Sequence, residues 1–130
     1  MNTPIDFLFT KQHAWVNIKE NIAIVGITDE LQEILVSVDE IVLPKKGDEV
    51  EMDIECVTLN YDGGTYELPS PLTGRITKIN HELRYSPELI HSSCYNDGWL
   101  FEMEYDESDE LDMLYSAVEY EDEIENMPDL

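Results

Sequence analysis

A chain of 130 residues, 42% of them hydrophobic, is sized for one domain around one core, and 30 Asp and Glu against 7 Lys and Arg give it a formal net charge of -23. That field repels phosphate backbones and anionic lipid. Lys45-Lys46 is the only adjacent basic pair, so the chain is expected to bind neither nucleic acid nor a membrane surface. No stretch approaches the roughly 18 apolar residues of a membrane span, and the amino terminus lacks a basic segment followed by a long apolar run. Cys56 and Cys94 show neither CxxC spacing nor a companion histidine pattern, which argues against a zinc site or a redox pair. The expectation is a cytoplasmic monomer.

In chain order, Ala14–Ile18 and Ile22–Ile27 read as strands joined by the polar turn Lys19-Glu20-Asn21, and Glu40–Pro44 as a third. Between them Leu31, Ile34, Leu35 and Val38 recur at helical spacing behind a Thr28 or Asp29 cap. Gly47 marks a turn, and strand signals resume through "DIECVTL", where Cys56 reads as a small buried hydrophobe. The run "NYDGGTYEL" is a hairpin, because Asp62-Gly63-Gly64 supplies the positive φ angles of a tight turn. Centring that turn on Gly63-Gly64 makes Tyr61 and Tyr66 cross-strand neighbours, available as an exposed docking pair.

The prolines of "PSPLTG" place an edge or corner next, and "RITKINHEL" is again strand-like. Ser86, Pro87 and Glu88 form a helix-start signature. Gly98–Tyr105 reads as a strand with Trp99, Phe101 and Met103 on one side and Leu100, Glu102 and Glu104 on the other. A last helix starts at Ser108 or Asp109 and places Leu111, Leu114 and Tyr115 on one face. Residues 1–118 form the domain, and residues 119–130 are acidic enough to be expected to fray. The fold class is mainly β, a barrel or sandwich with two or three short peripheral helices.

Catalytic signatures are absent: there is no GxSxG, HExxH, Walker glycine loop or GxGxxG. His13, His81 and His91 are far apart in sequence beside polar residues, and Glu102 with Glu104 reads as a solvated strand face. The expectation is a protein that is not an enzyme and holds no metal.

Several phrases in order resemble the H protein of the glycine cleavage system. "FTKQHAWVNI" is similar to the family's Tyr-Thr-Lys-Glu-His-Glu-Trp-Val, "VGITDELQEIL" to its Val-Gly-Ile-Thr-Asp and following helix, and "LPKKGDEVE" to Leu-Pro-x-x-Gly-Asp-x-Val. "SPLTGRITKINHEL" resembles Ala-Pro-Val-Ser-Gly-x-Val-x-x-Val-Asn, and "SPELIHSSCYNDGWL" resembles Ser-Pro-Glu-Leu-Ile-Asn followed by Pro-Tyr-x-x-Gly-Trp-Leu. The phrases stay in register from Gly26 to Trp99, and the resemblance extends from Phe9 to Tyr120.

The resemblance implies a lipoyl-type flattened β-barrel or sandwich with a C-terminal helix. It also implies a hairpin-tip lysine whose lipoate arm takes an aminomethyl group from the decarboxylase (P protein), offers it to the aminomethyltransferase (T protein) and is reoxidised by dihydrolipoamide dehydrogenase (L protein). Carried over residue by residue, the family's Glu-Ser-Val-Lys-Ala motif puts its Glu on Asn60, Ser on Tyr61, Val on Asp62, Lys on Gly63 and Ala on Gly64. All five depart from the pattern. The nearest lysines, Lys46 and Lys78, match positions that the family does not lipoylate. The expectation is an H-like protein without lipoate that binds a glycine cleavage P, T or L protein or a lipoate-handling enzyme through Tyr61, Asp62, Gly63, Gly64 and Tyr66. The alternatives are a carrier modified elsewhere, at another lysine or at Cys56, or a partner for something outside glycine metabolism.

Overall fold

The structure, a computed structural model, describes residues 4–126. Two open antiparallel sheets face each other. The larger has six strands in the order β1 (Leu8–Phe9), β2 (Ala14–Lys19), β3 (Ile22–Ile27), β9 (Phe101–Tyr105), β8 (Gly74–Ile79) and β5 (Glu49–Val50). The smaller has three, β4 (Glu40–Val42), β6 (Glu55–Tyr61) and β7 (Gly64–Pro69). The expected flattened barrel or sandwich is thus realised as a sandwich whose sheets do not close.

Side-chain alternation explains the packing. Val16 of β2, Val25 of β3 and Phe101 of β9 lie side by side in the ladder and turn inward. There they meet Val57, Leu59 and Leu68 from the smaller sheet in a solvent-free core. The opposite face of β2 carries Trp15, whose indole lies across Gly26 so closely that a Cβ there would run into the ring. Gly26 is therefore required by packing rather than by a turn.

The first helix is confirmed but shorter than its apolar spacing suggested. α1 spans Asp29–Ile34, with the Thr28 hydroxyl accepting from the Leu31 N–H at 3.3 Å. Val38 lies beyond it, still buried. Ser86 makes no side-chain cap, and α2 is a single turn, Leu89–Ser92. Ser108–Met113 is a 3-10 turn without a side-chain cap, and its Glu110 carboxylate accepts from the Thr73 N–H at 2.8 Å and the Thr73 hydroxyl at 2.7 Å. Strand β9 begins only at Phe101; Leu100 is fully buried on the core side and Trp99 half-buried on the other, the reverse of their expected faces.

The carboxyl terminus corrects the sequence reading most. α3 runs Ala117–Asn126, straight through the boundary expected at residue 118, so Glu119–Asn126 is helical rather than frayed. Two causes oppose its acidity. Ser116 and Glu119 form a reciprocal cap, the Ser116 N–H donating to the Glu119 carboxylate at 2.8 Å and the Glu119 N–H to the Ser116 hydroxyl at 3.2 Å. The Ser116 amide and hydroxyl hold the Glu119 carboxyl below its usual range. Tyr120, fully buried, stacks on Phe9 with ring centroids 4.9 Å apart. Residues 127–130 of the expected tail lie outside the described residues.

Candidate functional site

The β6–β7 hairpin pairs Leu59 with Tyr66, Asn60 with Thr65 and Tyr61 with Gly64, which leaves Asp62 and Gly63 as a two-residue turn. Gly63 has φ +119°, a conformation that an L side chain rarely adopts. The turn is therefore one residue earlier than expected. Tyr61 and Tyr66 become diagonal neighbours on one face instead of a directly opposed pair.

That face is the inner one. Tyr61 and Tyr66 share it with Leu59 and pack partly buried against the core. The Tyr66 hydroxyl donates to the Gln12 carbonyl at 2.9 Å, tying the hairpin to the β1–β2 connection, and burial pushes the Tyr66 phenol up. The two tyrosines expected to be exposed are thus half-buried. Asp62, Gly63, Gly64, Thr65 and Glu67 are the exposed residues of the tip.

The tip is braced from outside the hairpin. The Asp62 N–H donates to the Val36 carbonyl at 2.9 Å and the Asp39 N–H to the Asn60 carbonyl at 3.0 Å. On the outer face the Thr65 hydroxyl donates to Asn60, whose amide donates in turn to the Glu40 carboxylate, each at 2.8 Å. Exposed Asp39, Glu40, Asp62 and Glu67 make this end of the molecule anionic.

Attachment of lipoate requires an amine. None is present on β6, β7 or their turn, since the five lysines are Lys11, Lys19, Lys45, Lys46 and Lys78. Cys56 is a poor substitute. It is the extra residue of a β-bulge between Glu55 and Val57, and burial pushes its thiol up to about 12 despite a hydrogen bond with Ser70. Burial pushes Cys94 up to about 12 as well, aided by the Asp29 charge.

Two of the three histidines hold structure together, and His81 is exposed. His91 accepts from the Val38 N–H at Nε2 and faces the Gln32 side chain at Nδ1, 3.0 Å away, joining α1 to the α2 segment. His13 is buried, which lowers its pKa, and its Nδ1 is 2.6 Å from the Tyr120 hydroxyl. That hydroxyl is in turn 2.8 Å from the α1 cap Thr28. Sequence reasoning missed this chain, although Ser116-x-x-Glu119 marks the start of the helix that supplies Tyr120. Among the described residues, no group of three His, Cys, Asp or Glu could hold a metal ion. No helix among them is long and apolar enough to cross a membrane.

The family profile described as Glycine cleavage H-protein matches residues 7–127. The chain belongs to the glycine cleavage H-protein family. It is 35% identical over 122 residues to the glycine cleavage system H protein of Methylacidiphilum infernorum (isolate V4), covering 94% of this chain and 95% of that one. It is 38% identical over 120 residues to that of Herpetosiphon aurantiacus, covering 92% of each. The crystal structure of a glycine cleavage system H protein from Mycobacterium marinum is similar with a TM-score of 0.85 and 25% identity, over 95% of this chain and 99% of that one. The matched H-protein region includes α3 up to Asn126, in keeping with the helix being part of the domain. An H protein is not itself an enzyme.

Proposed function

We propose that this H protein carries no lipoate and acts by binding. The observation supporting the reading is Gly63: the residue that the resemblance aligns with the arm-bearing lysine has no side chain and occupies a positive-φ turn. The residues of the tip therefore do not fit the family's cofactor, since they offer no amine to hold it. The anionic tip, with Asp39, Glu40, Asp62 and Glu67 exposed around Gly63, would steer encounter with a basic face on a glycine cleavage P, T or L protein or a lipoate-handling enzyme.

Intact mass of the chain purified from its native host tests the first half. A mass equal to the bare polypeptide is expected, and an adduct of lipoyl size on any residue overturns the reading in favour of a carrier modified elsewhere. Calorimetry against the host's P, T and L proteins and its lipoyl ligase tests the second half. Saturable binding to one of them that weakens with salt is expected, and absence of binding to all four rejects the docking role.

A further inference from the structure

The outer face of the larger sheet is only partly covered. Phe9, Trp15 and α3 close one side of it. Beyond them a row of outward side chains crosses four strands in register, Asn17 of β2 beside Ile24 of β3, Ile24 beside Glu102 of β9, and Glu102 beside Lys78 of β8. This row lines a concavity of about 290 Å³ together with Lys19 and the half-buried Trp99.

Its chemistry differs from that of the rest of the surface. The chain has 7 cations against 30 carboxylates, yet two ammonium groups and a single carboxylate line this hollow. Lys78 Nζ sits 5.7 Å from the Trp99 ring centroid and only loosely against Glu102, at 3.8 Å. Lys19 makes no ion pair among the described residues. The Trp99 and Trp15 indoles, the Tyr95 phenol, two ammonium groups and the Asn17 and Asn96 carboxamides in one small concavity are the elements that recognise a planar ring bearing negative charge. The volume sits at the lower edge of the roughly 300–1,000 Å³ typical of small-molecule sites, which limits the ligand to about the size of a mononucleotide.

We propose that this concavity binds a small heteroaromatic anion, its ring on the Trp99 indole, its carboxylate or phosphate on Lys19 and Lys78, and its ring edge toward the Asn17 carboxamide. Glu102 opposes it and sets a weak affinity. The site lies on a different sheet from the Gly63 hairpin and does not depend on how that hairpin is used.

Nitrogen-proton NMR of the full chain at low salt tests it with nicotinate, nicotinamide, adenosine monophosphate and inorganic phosphate as probes. Both indoles border the hollow, and the Trp15 N–H, held by the Cys94 carbonyl at 2.9 Å, is distinguished from the Trp99 signal by a Trp15→Phe reference spectrum. Nicotinate is expected to shift the Trp99 indole saturably with a Kd on the order of 1 mM. Lys19→Gln and Lys78→Gln should each weaken that binding about threefold, and Glu102→Gln should strengthen it by a similar factor. These side chains lie on the solvent side of the sheet, and unchanged spectra elsewhere verify the fold. A tighter response to adenosine monophosphate identifies phosphate as the anionic group, and a tighter response to nicotinate identifies carboxylate. Equal binding of neutral nicotinamide, a Trp99 shift reproduced by inorganic phosphate alone, or no saturable shift with either ring anion up to about 20 mM overturns the proposal.

Discussion

At the hairpin tip Gly63 is exposed, and among the described residues beyond its chain neighbours only the Tyr61 ring, 3.6 Å away, comes near the place of its absent Cβ. At the α3 face Tyr120 is fully buried, stacked on Phe9 and bonded through its hydroxyl to both His13 and Thr28. The two regions belong to one small domain but tolerate change very differently. A tip that needs only a turn can lose its side-chain chemistry at little cost to folding. A face that needs a ring, a hydroxyl and two partners cannot. None of the residues from Asn60 to Gly64 is fully buried, and Tyr61 packs only partly against the core, so this stretch can vary without emptying the interior.

Three substitutions press on the contrast. The largest effect belongs to Tyr120→Ala, which removes the stacked ring and strands His13 and Thr28; a loss of about 3–5 kcal/mol in chemical denaturation is expected. Tyr120→Phe keeps the ring and should cost only about 1–2 kcal/mol, which separates the packing from the hydrogen bonds. At the tip, Gly63→Ala forces an L side chain into φ +119° and should cost about 1–2 kcal/mol, with the rest of the spectrum unchanged. If it destabilised the domain as much as Tyr120→Ala, the distinction between the regions would be wrong.

The smallest effect concerns acidity. Burial lowers the pKa of His13 from its ordinary 6.5, so the unfolded chain takes up the proton before the folded one does. The contribution of His13 to stability is complete above about pH 6.5 and declines as pH falls through the lowered folded value. Denaturation midpoints between pH 7 and 5 should fall more steeply for the native chain than for His13→Asn; asparagine tolerates the local φ of +71° and has no proton to gain. Identical slopes would remove His13 from the acid response.

Much of this was legible in the residues. Ala14–Ile18 and Ile22–Ile27 were readable as strands joined by a polar turn, and Asp62-Gly63-Gly64 as a hairpin. The turn centre was not readable, because Asp-Gly and Gly-Gly both supply the required φ; the register of the whole ladder decides between them. The inward facing of Tyr61 could have been read, since it shares parity with Val57 and Leu59. The acidic run after Glu119 suggested disorder because charge density was weighed above the cap and the buried ring. The His13–Tyr120 contact spans 107 residues and has no local signature at all.

The pairing of Phe9 with Tyr115, through two backbone hydrogen bonds of 2.8 Å, joins the first strand to a segment near the other end of the chain. During synthesis β1 therefore emerges long before the segment that covers its edge. Until Tyr115 and Tyr120 leave the ribosome, the nascent sheet presents an open strand edge beside bare Phe9 and Trp15 rings. A truncated copy displays that same sticky border, so an incomplete chain is marked for chaperones and proteases by its own geometry.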